Sequence, residues 1–250
     1  MYTKSEIIKI AKEQLVIDYN CKVSDFEKKK NTVVENKIIE GMRSYGNNDR
    51  AFRILTLGGT AIVNVSSDML TWAEEKLTNE SAAWFFEIST LKALDKKIQQ
   101  FGHEIVDVHH YYLPNPNVPA VEPSIPVKWY EADEILQFED DDRFSEALDF
   151  YSGNTNALAV AAIDGDNIMG MAGATTDSKN LWQIGVNVLP EYRGRGIGTS
   201  LTTLLKNEIL RRGKIPFYGT VESHIHSQNI AISSGFFPAW AECYSQTNKD

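Results

Sequence analysis

Arg193 and Arg195 alternate with Gly194 and Gly196, and Gly198 follows two places on, in a chain whose net charge is −9. This grouping suits the docking of an anion. Glycine lets the backbone bend tightly and turn its N–H groups one way, and arginine adds charge. An apolar run from Leu181 leads into the group, and Ile197, Leu201, Leu204, Leu205 and Ile209 recur at helical spacing after it. Arg211 and Arg212 in the last turn and Gly213 beyond them form a helix stop signal. The reading is strand, loop, helix, with backbone N–H groups, helix dipole and two guanidinium groups converging on one phosphate-sized site.

Two well-known phosphate loops do not fit. A P-loop needs Gly-Lys-Ser/Thr at its end, and no lysine follows these glycines. The dinucleotide fingerprint G-x-G-x-x-G would need a glycine at Thr199. What stands there is R-x-x-G-x-G, Arg193 to Gly198, behind V-x-P-E-Y.

The elements that must position this loop are readable around it. The 250 residues suit one large or two small domains. Thr3 with Glu6 reads as a capping box opening a helix over Ile7, Ile8, Ala11 and Leu15. Arg53 to Val65 reads as two strands turning at Gly58-Gly59, followed by helices over Met69–Leu77 and Trp84–Gln100 and a strand over Glu104–Tyr112. Residues 113–127 hold five of the eight prolines. They read as an extended linker between an N-terminal α+β domain (1–112) and a C-terminal domain (128–250). After it come strands at Val127–Glu131, Leu158–Ile163, Ile168–Thr175 and Leu181–Val188. The helix 197–212 follows, then a strand over Ile215–Ser223, a short helix over Ser227–Ser234 and a last strand over Phe236–Tyr244.

Composition narrows the function. Residues 1–112 carry 15 basic and 16 acidic side chains, and 113–250 carry 10 and 18, which argues against nucleic-acid binding. No apolar run approaches the ~18 residues that span a bilayer. The charged N-terminus does not read as a signal peptide. Cys21 and Cys243 are the only cysteines, too few for a disulfide framework or a zinc cluster. A cytoplasmic protein with no membrane or metal partner is expected.

The loop, in this order of elements, resembles the acyl-CoA pyrophosphate loop of the GNAT acetyltransferase superfamily, in a bacterial form with an extra N-terminal domain. The S-Q-N-I-A-I-S-S-G-F stretch, Ser227 to Phe236, is similar to that superfamily's second signature. The resemblance implies an α/β fold of the α+β type, with a mixed, mostly antiparallel twisted sheet and flanking helices. It implies acetyl-CoA as co-substrate, held by Val186, Val188, Arg193, Gly194, Arg195, Gly196, Ile197, Gly198 and Ser227. The strand before the loop is expected to splay from its neighbour. The Val186 N–H would then face the acyl carbonyl and Val188 would hold the pantetheine arm. The chain departs from the pattern where many members carry a catalytic tyrosine (here Ala231), a base on the entering strand (here Trp182 and Ile184) and an asparagine (here His224).

Substitutes are sought on the strand 215–223. If it stays regular, Tyr218, Thr220, Glu222 and His224 share one face. Glu222 is then the candidate base, and Tyr218 or His224 the candidate thiolate acid. The expectation is an N-acyltransferase in which an amine attacks the thioester directly. A non-catalytic CoA-binding module with a partner-binding N-terminal domain is the alternative. The acidic run Glu139–Asp142 favours a small, cationic amine acceptor. A homodimer is compatible with the sequence.

Overall fold

In the computed structural model, residues 2–43, 50–118 and 125–248 are described. Helix α1 (Lys4–Tyr19) starts on the expected capping box. Thr3 Oγ1 accepts the Glu6 N–H at 3.2 Å, and the Glu6 carboxylate accepts the Thr3 N–H at 2.7 Å. Strand β1 (Thr32–Glu35) follows, then the hairpin β2 (Phe52–Leu57) and β3 (Thr60–Val65). Gly58 and Gly59 supply the two positive φ values (66° and 90°) that a tight hairpin turn requires. Helices α2 (Leu70–Leu77) and α3 (Ile88–Ile98) lead to the long strand β4 (His103–Pro114).

The second half runs β5 (Val127–Glu131), a one-turn α4 (Ala132–Ile135), β6 (Asn156–Asp164), β7 (Asn167–Thr175) and β8 (Leu181–Val188). It continues with α5 (Ile197–Arg211), β9 (Ile215–Val221), α6 (Ile225–Ser233) and β10 (Phe236–Thr247). The stretch expected to be helical up to Tyr151 is mostly short turns packed on the sheet through Phe138, Phe144, Ala147 and Leu148.

All ten strands form one sheet in the order β1-β3-β2-β10-β4-β9-β8-β7-β6-β5. Only β1/β3 and β8/β9 are parallel, so the sheet is mostly antiparallel. Strand β4 lies between β9 and β10, both from the second half of the sequence. The sheet is therefore continuous from the N-terminal to the C-terminal half. Leu113 and Pro114, read from sequence as linker, pair with Phe237 and Phe236 and extend β4. Part of the linker reading (119–124) lies outside the described residues.

One face of the sheet carries α5 and α6, through Ile197, Leu201, Leu205, Ile209 and Ala231 against Leu158, Val160, Ala172, Ile184 and Tyr218. Helices α2 and α3 continue that layer over β2 and β3. The opposite face carries α1, over Leu55, Ile62, Tyr111, Leu181 and Phe217, and the turns before β6. Among the described residues, no helix is long and apolar enough to cross a membrane.

Candidate active site

Strands β8 and β9 pair at Leu181/Ile215, Trp182/Pro216, Gln183/Phe217 and Ile184/Tyr218, and there the pairing stops. Beyond that point β8 stays with β7, Gly185 opposite Gly173 and Val188 opposite Gly170, while β9 continues along β4. The sheet thus forks after Ile184 and Tyr218. The Leu189 N–H donates to the Met169 carbonyl at 3.0 Å. Because bonded and non-bonded pairs alternate in an antiparallel ladder, Gly185 and Asn187 direct their N–H and C=O groups at β7, and Val186 and Val188 direct theirs into the fork. These are the two residues expected to expose their amides.

The loop closes the wide end of the fork. Pro190–Tyr192 makes a short 3-10 turn, Gly194 and Gly196 both have φ of 76°, and Gly196 stands at the N-terminus of α5 without a side-chain cap. The first-turn N–H groups of α5, at Ile197, Gly198 and Thr199, lack intrahelical acceptors by position. Arg193 Nε donates to the Val188 carbonyl at 3.0 Å, so that arginine leans along the fork. Arg195 donates to the Glu191 carbonyl at 3.2 Å with its guanidinium 5.4 Å from the Tyr192 ring centre. Gly198 does not shape the bend. It lies inside α5, where a Cβ would sit 3.0 Å from Ile230 Cδ1 and 3.4 Å from Val188 Cγ2, so glycine there lets α5 pack closely on β8 and α6.

On the α5–α6 face of the fork, the Tyr218 hydroxyl and the Ser227 hydroxyl are 2.9 Å apart and buried. Burial raises the Tyr218 pKa, and Tyr218 remains a neutral phenol. Ser227 lies one helical turn before Ala231, so a hydroxyl pair stands close to where the resemblance would put a tyrosine. Glu222 and His224 do not join it. Strand β9 ends at Val221, Glu222 and Ser223 form an exposed turn, and His224 precedes α6. The alternation expected to continue through them is broken by that turn. Glu222 lines a shallow groove with Ile105, Val106, Asp107 and Val108.

The opposite face of the fork opens into a polar cavity of about 310 Å³. Gly185 and Gly219, the first residues past the last β8/β9 pair, both line it. Its walls come from the turn segment 145–149, from Thr175, Asp177 and Gln183, and from His109, Tyr111 and Tyr244. Asp177 is 8% exposed. It accepts a hydrogen bond from Thr175 Oγ1 at 2.6 Å. Burial pushes its carboxyl up to about 6, against the lowering effects of Thr175, Arg43 and the Gln183 backbone N–H. Sequence reasoning missed this residue. T-T-D-S after β7 reads as an ordinary turn, and only long-range packing buries it. Among the described residues, no group of three or more His, Cys, Asp or Glu is placed to hold a metal.

The family model "Acetyltransferase (GNAT) family" matches residues 124–236. This span contains the fork, the loop, α5 and the first part of the helix–strand segment after β9. Residues 124–236 form a GNAT domain. The GNAT family is one of acyl-CoA-dependent acyltransferases. Among solved structures, similarity extends to a GCN5-related N-acetyltransferase-like protein from Streptococcus suis (13% identity, 64% of this chain and 68% of that one, TM-score 0.45). A GCN5-related N-acetyltransferase from Kribbella flavida is similar over 63% of this chain and 65% of its own, at 14% identity and TM-score 0.46. An acetyltransferase from the GNAT family of Colwellia psychrerythraea is similar over 64% and 63%, at 12% identity and TM-score 0.44. This chain therefore spans about two thirds of the length of these proteins. No curated protein matches it.

Proposed function

We propose that the protein is an N-acyltransferase that uses acetyl-CoA or a short acyl-CoA as donor, with a small amine attacking the thioester directly. The observation that carries this reading is the fork after Ile184 and Tyr218, with the Val186 and Val188 amides open to it and the glycine–arginine loop at its wide end. The pantetheine arm would lie along β8 as an extra strand. The pyrophosphate would meet the N–H groups at the start of α5 with Arg193 and Arg195 beside it. The acyl carbonyl would then reach the Val186 N–H, which stabilises the oxyanion that forms on attack. Tyr218, hydrogen-bonded to Ser227, would protonate the departing thiolate.

Replacing Gly196 with valine tests the loop. A β-branched residue is strained at a φ of 76°, and its side chain would enter the space above the helix N-terminus, where no neighbouring atom lies within 4 Å of a Cβ. CoA affinity measured by calorimetry is expected to fall about tenfold or more, equivalent to about 1.4 kcal/mol, in a variant that is destabilised by about 1–3 kcal/mol of backbone strain but still folds. Unchanged affinity in the folded variant would remove the loop from the binding site. Thiol release from acetyl-CoA with a panel of amines tests the catalytic part of the reading. CoA binding without turnover would favour a CoA-binding module instead.

A further inference from the structure

The reading above leaves the proton of the attacking amine unassigned. Glu222 was the sequence candidate for removing it, and it lies on an exposed turn that lines a different groove. The cavity on the α1 face of the fork offers another carboxylate. Its lining includes Gly185 and Gly219, the first residues past the point where β8 and β9 separate, together with Asp177. Neither glycine position carries a side chain, and the Glu146 backbone packs against Gly185 while the Tyr111 ring packs against Gly219. A Cβ on Gly219 would sit 2.8 Å from the Tyr111 ring, and one on Gly185 would collide with the Glu146 carbonyl.

Resting on the acyltransferase reading, we propose that this cavity is the acceptor subsite, that it takes a primary amine as its ammonium ion, and that the Asp177 carboxylate is the base that removes the proton before attack.

Charge and burial favour this occupant. Asp177 makes no salt bridge among the described residues, and Arg43, the cation that acts on it, also pairs with Asp18 at 2.5 Å and Glu242 at 2.7 Å. A buried carboxylate without its own counter-ion is a site for an incoming cation. The turn segment adds Glu146 and Asp149 to the same walls. Asp149 is engaged locally, accepting from the Tyr151 and Ser152 N–H groups at 2.9 Å each. On the far wall, His109 stacks on Tyr244 with ring centres 6.2 Å apart, and Arg50 lies 3.8 Å from the centre of that Tyr244 ring. Among the described residues, the lining thus carries three carboxylates, one arginine and one histidine around a space sized for a small molecule. Thr175 and the Gln183 N–H hold the Asp177 carboxylate in place.

The proton balance closes. The carboxylate of Asp177 takes one proton from R–NH₃⁺, and the nitrogen lone pair forms the C–N bond. The carbonyl electrons move to the oxygen facing Val186. As the carbonyl reforms, the C–S bond breaks and its electron pair leaves on sulfur. The second nitrogen proton offsets the one delivered to sulfur, and the proton on Asp177 passes to solvent. One amide, one free thiol and one proton result.

The test measures thiol release from acetyl-CoA with primary monoamines, diamines and amino acids, between about pH 5 and 9. Wild-type kcat/KM for the best amine is expected to rise with pH and level off above about 6, the value to which burial lifts Asp177. In Asp177→Asn, kcat/KM should fall by about 10²-fold or more and the acidic limb should vanish, with CoA affinity unchanged. The variant should also melt at or above the wild-type temperature near neutral pH. A carboxyl raised in the folded state favours folding while protonated, and that contribution is lost as pH rises through about 6. Thr175→Val removes a stabilising donor and should move the acidic limb to higher pH. Wild-type kcat/KM across the pH range in folded Asp177→Asn, or an unmoved limb in Thr175→Val, would overturn the assignment and leave the acyltransferase reading standing. A wild type that binds CoA and turns over no amine would overturn both.

Discussion

Arg43→Met is expected to destabilise the protein by about 3–5 kcal/mol, because it removes one partner from a buried ionic cluster. Arg43 is 2% exposed. Its Nε lies 2.5 Å from Asp18 on α1, its backbone N–H donates to the same carboxylate at 2.9 Å, and its Nη2 lies 2.7 Å from Glu242 on β10. The Trp240 indole N–H also donates to Glu242 at 2.7 Å. The guanidinium sits 5.4 Å from the Phe217 ring centre and 5.7 Å from that of Trp240. Methionine has nearly the right length for that aromatic box, so the loss is electrostatic. Two buried carboxylates keep their desolvation cost and lose the cation that offsets it.

The pH dependence has a definite sign. Arg43 holds the Glu242 carboxyl below its ordinary value in spite of burial. A depressed folded-state pKa contributes stability above the unfolded value of about 4.3, and that contribution is lost as pH falls through the folded value. In the variant, burial is opposed by the Trp240 hydrogen bond and by Arg53 but no longer by Arg43, and the same carboxyl rises. The gap between wild type and variant, measured by urea unfolding, should therefore be widest near neutral pH and shrink as pH approaches about 4. Equal stability of the two proteins at neutral pH would show that the cluster contributes nothing.

The second large effect is expected from Gly185→Ala. An added Cβ would lie 1.7 Å from the Glu146 carbonyl oxygen and 2.9 Å from its carbon. Both are backbone atoms, so no rotamer change relieves the contact. That backbone is also pinned, since Asn187 Oδ1 accepts the N–H groups of Glu146 at 2.9 Å and Ala147 at 2.7 Å. The turn segment must lift from β8, pulling Ala147 and Leu148 out of their packing with Ala159, Ala161 and Met171. Overpacking of this kind costs about 1–3 kcal/mol. Displacing a wall of the acceptor cavity by about 1 Å should lower kcat by about 10²-fold. The α5 side of the fork is untouched, so CoA affinity should hold. A variant with wild-type melting temperature and turnover would mean that the segment moves freely and does not shape the site.

The parts of this structure that sequence could reveal are those set by local chemistry. The Thr3–Glu6 cap, the Gly58-Gly59 turn, and β8 followed by its basic glycine loop and α5 all depend on residues within a few positions of one another. The open amides of Val186 and Val188 were reached through the family resemblance, and the ladder alternation at Leu189 agrees with them. What failed or went unseen depends on distant partners. Glu222 was placed by assuming that a strand pattern ran two residues past its true end at Val221. Asp177 lines a cavity built from six separated parts of the chain, and Arg43 meets Glu242 across 199 positions. Strand β1 is short, half-buried and paired only with β3, so its pattern is weak.

The place of β4 in the sheet has a consequence for how this protein is made. As the chain leaves the ribosome from its N-terminus, β2 and β4 emerge early, yet each has β10 as a direct neighbour. Residues 236–247 are synthesised only after every other strand of the sheet. Until they appear, β2 and β4 each keep a bare hydrogen-bonding edge, which is a template for unwanted pairing with other chains. Completion of the sheet therefore waits until β10 has been made, and its long-range pairings make slow folding the expectation. The same feature makes β10 a keystone. A nascent chain stalled or clipped before Phe236 would hold the fork, with β4 still able to pair with β9, but nothing to join β2, β3 and β1 to them.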